Sequence, residues 1–335
     1  MITEKFLTQR KRIKRIKREK QARKGIIADW IEAFLWAAGV VLLINQYLFQ
    51  AYQIPSGSMI DTLLIKDRVF VNKLIYGPEL LPGLCKLPSP IKPQRNDVII
   101  FESPSYISRG TAFDIAQRII YMLTFSIIDI DKDEMGRPKP HFLIKRAVGM
   151  PGDRVFNKYG DMYFQFSGED KTIAETDYNA QCGWTHRIRR LAHKDDYESM
   201  IKAVKTDIWT RLGLEPPPYL TSMQNKLPEY ADGITYYASW YGTLHSFFPN
   251  DDRYTKQYYR KTLGWYIPEG RILPLGDNRD NSTDGRFFGP VSSAKILGKG
   301  LFIYWPGTAV ESGETGAQTL EPPPKTGIRR VGIIR

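Results

Sequence analysis

The sequence has few cysteines and histidines, and it lacks two common signatures of hydrolytic sites. Its 335 residues include two cysteines, Cys85 and Cys182, which are far apart and belong to no C-x-x-C pair. Two such cysteines exclude a disulfide framework and argue against a zinc site built on thiolates. The four histidines form no H-E-x-x-H motif, and no G-x-S-x-G motif occurs. These absences argue against a zinc metalloprotease and against a hydrolase with a nucleophile elbow.

Most of the chain also lacks an excess of positive charge, although the net charge is +12. Residues 1–24 hold eleven Lys or Arg against two Glu, whereas the remainder carries 37 basic and 34 acidic side chains. A basic arm of this kind can bind the phosphates of nucleic acid or of anionic lipid. The charge alone does not distinguish between these two partners. It is equally compatible with a solvated arm that binds nothing.

An apolar stretch, IIADWIEAFLWAAGVVLLINQYLFQ, follows the arm at residues 26–50. A helix over about 20 of these residues is roughly 30 Å long, which matches a bilayer core. Trp30, Tyr47 and Tyr52 flank it as interfacial aromatics do, and no small-residue cleavage site follows closely. We therefore interpret residues 26–50 as an uncleaved transmembrane signal anchor. The alternative is a buried helix of a soluble domain. The positive-inside rule makes residues 1–25 a cytoplasmic arm and places the rest outside.

Short strand-like runs dominate the remaining chain, and turn signals such as Pro151-Gly152-Asp153 separate them. This pattern predicts a mainly β, antiparallel body. The runs lie at residues 68–73, 97–101, 141–148, 162–166, 271–275 and 296–304.

Two helical stretches interrupt the β pattern. Residues 113–130, within an insertion at 102–140, are an apolar helix candidate, for which a second membrane span is the disfavoured alternative. Residues 197–213 read as an amphipathic surface helix within a long stretch, 156–265, that we interpret as an accessory subdomain. The Pro-rich tail at 306–335 reads as irregular.

Two motifs can bring a hydroxyl and an amine into one site. In QIPSGSMIDTLL, residues 53–64, Pro55 and Gly57 bracket two serines, so a tight turn can present one hydroxyl beside backbone N–H groups. In FLIKRAVGMPGD, residues 142–153, Lys145 shares a strand face with small apolar neighbours, where loss of water favours the neutral amine. Each motif alone is a weak signal, because S-G-S is common in linkers and most strand lysines reach water.

A third motif, LGDNRDNSTDGRFFGP at residues 275–290, is rich in carboxylates. Asp280, Ser282 and Asp284 fit the first ligand positions of a calcium loop, but Val291 stands where a bidentate carboxylate is needed. We therefore reject calcium and expect a buried network that holds a hydroxyl in place. In that network Asp277, Asp280 and Asp284 pair with Arg146, Arg279 and Arg286.

Four blocks, in order after the anchor, resemble bacterial type I signal peptidase: PSGSM (55–59), RNDVIIF (95–101), KRAVGMPGD (145–153) and GDNRDNSTDGR (276–286). The resemblance implies a signal-peptidase-like antiparallel β body with an N-terminal transmembrane helix and α/β insertions. Its extracytoplasmic catalytic domain would comprise residues 51–155 and 266–305. It also implies a Ser/Lys serine protease, without metal or organic cofactor, that removes signal peptides after small residues in an Ala-X-Ala pattern.

The resemblance also implies roles for individual residues. Ser58 matches the nucleophile and Lys145 the general base. The Ser58 N–H and the Ser56 hydroxyl match the oxyanion hole, and Ser282 matches the group that orients the lysine amine. The remaining matches are Asp277 as the partner of Arg146, Asp284 as the partner of Arg286, and Ile54, Met59, Leu63 and Ile144 as the lining of shallow substrate pockets.

Two positions depart from the family pattern. Asp61 stands where the family usually has proline, and Gly285 where it has a small serine. A carboxylate three residues from Ser58 is expected to raise the pKa of Lys145 and to move the activity optimum to higher pH.

The implied partners are preprotein signal peptides and the lipid bilayer of a bacterial cytoplasmic membrane, close to the export translocon and without nucleic acid. Two other functions stay open at this point. One is a Ser/Lys self-cleaving protease, and the other is a catalytically silent membrane-anchored module that binds exported chains. The intact Ser58, Lys145 and Ser282 argue against the silent module.

Overall fold

The computed structural model describes residue 12 and residues 25–81, 85–89, 91–124, 127–136, 139, 141–221, 232–307 and 330–334. Most of the predicted basic arm and most of the predicted tail at 306–335 therefore lie outside the described residues.

The helices combine one long apolar helix with shorter, more polar ones. The first has 22 residues and a length of about 33 Å at about 1.5 Å per residue. Among the described residues it is the only helix long and apolar enough to cross a membrane, and none of its apolar window is buried in the protein. The helices are α1 (Ile26–Tyr47), α2 (Thr111–Leu123), α3 (Glu175–Gln181), α4 (Asp196–Arg211), α5 (Gly233–Phe247), α6 (Asp252–Thr262) and α7 (Gly285–Phe288).

The strands fall close to the predicted runs. Alternating apolar residues bury one face of the second and eighth strands, whereas the fifth and eleventh strands are continuous apolar runs buried on both faces. In the second strand, for example, Val69 and Val71 are buried while their neighbours are half-buried. The strands are β1 (Phe49–Gln53), β2 (Arg68–Asn72), β3 (Glu79–Leu81), β4 (Cys85–Lys86), β5 (Val98–Glu102), β6 (Phe142–Gly149), β7 (Arg154–Lys158), β8 (Asp161–Gln165), β9 (Thr172–Ala174), β10 (Trp265–Tyr266), β11 (Arg271–Leu275), β12 (Val291–Ser292), β13 (Ile296–Trp305) and β14 (Gly332–Ile333).

The main sheet has the order β1-β2-β13-β5-β6-β11-β12, with β14 added to β13, and its pairs are antiparallel. A second antiparallel sheet, β10-β7-β8-β9, carries much of the predicted accessory stretch, and β3 and β4 form a small pair. The prediction of a mainly β, antiparallel body with an N-terminal apolar helix is confirmed.

The anchor helix is joined to the main sheet by a single residue. α1 ends at Tyr47 and β1 begins at Phe49. The Lys73 backbone N–H donates to the Leu48 carbonyl oxygen at 2.9 Å. The Gln46 side-chain amide donates to the Glu79 carbonyl oxygen at 2.8 Å. The chain at the end of α1 is thus hydrogen-bonded to the residue that follows β2 and to the first residue of β3.

The apolar insertion helix is shorter than predicted. α2 ends at Leu123, so it is about 20 Å long at about 1.5 Å per residue and cannot cross a bilayer core. It packs against α1, and Tyr121 packs on the core of the main sheet. α4 agrees well with the predicted helix at 197–213 and buries an apolar face around Val204 and Ile208.

Candidate active site

Ser58 lies in a tight turn directly after β1, and a second loop holds that turn from behind. The turn is a short 3-10 helix, Gly57–Met59, and Ser58 is 8% exposed. The Asn278 backbone N–H donates to the Ser58 carbonyl oxygen, and its side-chain amide donates to the Gly57 carbonyl oxygen, both at 3.1 Å. A Cβ at Gly276 would collide with the Ser282 hydroxyl and lie 2.5 Å from the Ser58 carbonyl oxygen. Only glycine fits where the two loops meet.

Lys145 is 3% exposed on β6 and reaches the serine directly. Its Nζ donates to Ser58 Oγ at 2.5 Å. Burial lowers the pKa of Lys145 to about 8, against the opposing effect of the Asp284 and Asp277 carboxylates. An appreciable fraction of this amine is therefore neutral near pH 8, and a neutral amine can accept the serine proton.

Two other lysines are buried in a similar way. Burial lowers the pKa values of Lys73 and Lys261 to about 8 as well. Lys73 Nζ donates to the Gln46 carbonyl oxygen at 3.5 Å, and Lys261 Nζ donates to the Arg286 carbonyl oxygen at 3.0 Å. Lys145 differs from both in its contact with a serine hydroxyl, so the position of the amine distinguishes it more than its pKa.

A buried ion pair fixes β6 to the loop after β11. Arg146 Nε and Nη2 donate to the two oxygens of Asp277 at 2.8 and 2.6 Å, and Thr62 Oγ1 donates to Asp277 Oδ2 at 2.6 Å. Burial alone would raise the pKa of Asp277, but Arg146 outweighs it and holds the pKa below its usual value. Asp277 thus stays charged. It connects Arg146, the residue after Lys145, with Thr62, which follows Ser58 by four positions.

A second buried pair lies in the same loop. Arg286 Nε and Nη2 donate to Asp284 at 2.9 Å each, and the Gly276 backbone N–H donates to Asp284 at 2.9 Å. Arg286 opposes the effect of burial, so the pKa of Asp284 also lies below its usual value.

The third predicted pair, Asp280 with Arg279, is wrong. Asp280 accepts hydrogen bonds from Arg190 and from the backbone N–H groups of Leu191 and Ala192. Arg279 pairs with Glu175 of α3. Both partners come from the accessory stretch, whose contacts the sequence pattern does not indicate.

Asp61 does not act on Lys145 as expected. Its carboxylate accepts from Arg189 Nη2 at 2.8 Å and Nε at 3.0 Å, and Arg189 is fully buried. The carboxylates that raise the pKa of Lys145 are those of Asp284 and Asp277, and the net pKa is lowered. The expectation of a raised pKa is therefore wrong. The φ of Asp61 is 81°, a left-handed conformation that a proline ring cannot adopt.

The other predicted site residues are the two serines expected to assist catalysis and the four apolar residues expected to line the substrate pockets. Ser56 Oγ donates to Ser58 Oγ at 3.4 Å, whereas the Ser282 hydroxyl has no hydrogen-bond partner in the described part of the chain. Leu63 is fully buried in the core of the main sheet, so it belongs behind the cleft wall. Residues that do line the cleft are Ile54, Met59 and Ile144.

The cleft has a volume of about 1020 Å³ and runs from Ser58 and Lys145 along the start of β6 to residues 127–136. β5 pairs with one edge of β6 over its first five residues, and β11 pairs with the other edge only from Arg146 to Gly149. Over the described residues, the cleft-side edge of residues 142–145 therefore has no strand partner. Such an edge can bind an extended peptide.

Four residues of the site were missed by the sequence analysis. Thr62 and Asn278 lie inside the motifs that were singled out, so their position beside Ser58 and Asp277 was a usable signal. Arg189 and His186 come from the accessory stretch, where no pattern marks them. Burial and the nearby Arg146 lower the pKa of His186 to about 4, so this imidazole is neutral. The described residues contain no group of three His, Cys, Asp or Glu that could hold a metal ion.

Comparison with known proteins gives one consistent family. The family model described as "Signal peptidase, peptidase S26" matches residues 27–305. The chain is 29% identical to the signal peptidase I of Haemophilus influenzae over 83% of this chain and 69% of that one. It is 27% identical to the signal peptidase I of Aquifex aeolicus over 90% and 91% of the two chains. A solved signal peptidase I from Enterococcus faecalis V583 is 18% identical over 62% of this chain and 96% of that one, with a TM-score of 0.23.

Proposed function

This chain belongs to the signal peptidase family, peptidase S26, and is a serine protease. From that premise we propose that it cuts preproteins after small residues, with Ser58 as nucleophile and Lys145 as general base. The observation that carries the proposal is the contact of the buried Lys145 Nζ with Ser58 Oγ at 2.5 Å. The family supports the removal of signal peptides, and the residue roles and the cutting pattern are the proposal.

The proposed reaction uses the lysine amine twice. Neutral Lys145 accepts the Ser58 proton while Oγ attacks the scissile carbonyl carbon, and the resulting ammonium gives a proton to the leaving amine. The amine then accepts a proton from the water that hydrolyses the acyl-enzyme. The Ser58 N–H and the Ser56 hydroxyl stabilise the oxyanion, each by about 3 kcal/mol. The role of Ser282 in orienting the amine stays a prediction from the family resemblance, because its buried hydroxyl has no hydrogen-bond partner among the described residues, Lys145 Nζ included.

Substrate residues next to the cut bind in extended form along the open edge of β6, residues 142–145. Main-chain hydrogen bonds to this edge provide affinity for any sequence, and side-chain pockets provide specificity. Ile54, Met59 and Ile144 line the cleft with apolar side chains. Shallow pockets between them would admit alanine and exclude a larger side chain. This accounts for a preference of the Ala-X-Ala type.

The proposed topology follows from α1 and the basic arm. The family and the exposed apolar helix support a membrane-anchored protein. With eleven Lys or Arg in residues 1–24, the arm lies in the cytoplasm and the β body outside. The body that carries Ser58 and Lys145 comprises residues 51–155 and 266–305, and residues 156–265 form the accessory subdomain.

The test is cleavage of a preprotein with an Ala-X-Ala site by the full-length protein in liposomes. Ser58→Ala and Lys145→Ala are each expected to lower kcat/KM by about 10⁴-fold or more, since each removes a reacting group. Lys73→Met is the matched control, because Lys73 is equally buried with a similar pKa. A folded Lys145→Ala variant with full activity would mean that another group is the base.

A further inference from the structure

The far wall of the cleft is a segment fixed in place from two sides. Asp129 Oδ1 accepts from the Gln117 side-chain amide of α2 at 2.9 Å and from the Asp131 backbone N–H at 3.0 Å. Asp131 is fully buried, forms an ion pair with Arg109 at 3.0 Å and accepts a hydrogen bond from the Tyr106 hydroxyl at 3.0 Å. His141 Nε2, next to β6, lies 2.9 Å from the Asp131 carboxylate. Residues 127–131 are thus held between α2 and the start of β6.

Two isoleucines on this wall are exposed. Ile127 and Ile128 are 63% and 50% exposed, and both line the cleft that contains Ser58 and Lys145. Tyr121 of α2 lines the same end. Covering exposed apolar side chains on a fixed wall with another apolar group removes their surface from water and is favourable.

The length of β6 tells which part of a substrate reaches this wall. Lys145 comes four positions after His141, and at about 3.3 Å per residue this is about 13 Å. A peptide that lies extended along the open edge of residues 142–145, with its scissile bond at Ser58, passes the wall about four residues from the cut.

The neighbouring anchor helix tells in which direction that peptide runs. α2, which contributes Gln117 and Tyr121 to the cleft, packs against α1. The isoleucine end of the cleft is therefore the end next to the membrane anchor. A signal peptide has its apolar segment upstream of the cut, and that segment leaves the bilayer beside the anchor.

We propose that Ile127 and Ile128 form an apolar subsite for the fourth to sixth substrate residues upstream of the cut, where the apolar segment of the signal peptide ends. The inference rests on the proposed function, because the direction of the substrate comes from it. It gives the insertion at 102–140 a role in choosing substrates. The alternative is that the two isoleucines contact the bilayer itself. Against it, both side chains line the same cavity as Lys145.

The test compares two preproteins that differ only at these three residues, Leu in one and Ser in the other. The enzyme is full-length protein in liposomes, either wild type or the double variant Ile127→Ser with Ile128→Ser. The double variant is expected to lower kcat/KM about tenfold for the Leu preprotein and less than twofold for the Ser preprotein. The matched control is Ile107→Ser, since Ile107 is 82% exposed in the same insertion and does not line the cleft.

A second measurement locates the contact without removing a side chain. A photoreactive benzophenone amino acid replaces Ile128 in the Ser58→Ala background, in liposomes with the Leu preprotein. Crosslinks to the substrate residues upstream of the cut are expected. Crosslinks to lipid alone, or an equal loss of kcat/KM for the two preproteins, would overturn the subsite. These failures are distinct from failure of the proposed function, which shows as inert wild type or active Ser58→Ala.

Discussion

At the scale of single residues, Lys145 lowers the stability of the fold that contains it. Its pKa is about 8 in the folded protein and 10.5 in the unfolded chain. The unfolded state thus binds more protons between these values, so stability rises with pH from about 8 to 10.5. Below pH 8 the folded protein has the full cost of a buried ammonium, about 3 kcal/mol for such a shift.

We predict that Lys145→Met raises the free energy of unfolding by up to about 3 kcal/mol at pH 7, although it abolishes cleavage. Methionine fills a similar volume without charge. The gain should shrink to a small remainder as pH approaches 10.5, because the wild-type amine is then neutral in the folded state and half neutral in the unfolded chain. Thermal unfolding in detergent at pH 7 and pH 10.5 measures it. A gain that does not depend on pH would show that packing, and not charge, is responsible.

The same pKa predicts how activity depends on pH. Because neutral Lys145 is the reactive form in the proposed mechanism, we expect kcat/KM to rise with pH through a midpoint near 8. Initial rates on a preprotein from pH 6 to 10 measure this midpoint. A midpoint below pH 6 would contradict Lys145 as the base.

Asp61 should affect stability and leave that midpoint unchanged. Asp61→Asn leaves the buried Arg189 with a weaker partner, at a cost on the order of 3 kcal/mol. Asp252→Asn is the control, since the Asp252–Lys256 pair is exposed and its loss changes little. Unfolding temperatures and the pH profile of kcat/KM are measured for both. A shift of the midpoint by one pH unit in Asp61→Asn would show that the Asp61 carboxylate does act on the pKa of Lys145.

At the scale of elements, the accessory stretch supports the site through backbone hydrogen bonds. Arg189 forms a β-bridge with Asn278, and its N–H donates to the Asp277 carbonyl oxygen at 2.8 Å. Asp280 then accepts from the backbone N–H groups of Leu191 and Ala192 at 2.7 and 2.9 Å. The loop behind Ser58 is thereby paired with a segment more than eighty residues earlier in the chain.

We predict that Asp280→Ala releases this segment. Two backbone donors lose their acceptor, each at about 1 to 3 kcal/mol. Amide hydrogen exchange of residues 189–192 should accelerate at least tenfold, with a smaller fall in kcat/KM. Asp195→Ala is the control, because the Asp195 side chain is 87% exposed. Unchanged exchange in Asp280→Ala would mean that Arg189 alone holds the segment.

The strands were predictable from the sequence, and the contacts of the accessory stretch were not. Apolar runs mark β2, β5, β6, β8, β11 and β13 to within about one residue, either by alternation, as in β2 and β8, or by continuous burial, as in β5 and β11. Ser58 and Lys145 could be singled out by motif and resemblance. The ion pair of Asp61 with Arg189 joins residues 128 positions apart, and no local pattern encodes such a pairing. Leu63 was misplaced because an apolar residue near a nucleophile can serve the core as well as a pocket.

At the scale of the whole molecule, an exposed native cysteine can report the topology. Cys182 is free and exposed in the accessory stretch. We predict that a membrane-impermeant maleimide labels Cys182 in intact spheroplasts of a Cys85→Ser chain. A cysteine placed at Thr8, in a Cys85→Ser and Cys182→Ser background, should be labelled only after permeabilisation. Labelling of the two positions in the opposite order would invert the proposed orientation.

The single residue between α1 and β1 bears on which membrane proteins we expect the enzyme to leave uncut. With α1 across the bilayer, Ser58 follows the end of the helix by eleven residues and cannot swing freely on a linker. In the proposed topology we therefore expect the Ser58 hydroxyl to lie at one height above the membrane surface. We expect a membrane protein whose apolar helix is longer to hold its small residues at another height, and therefore to keep its N-terminal segment although it contains an Ala-X-Ala sequence.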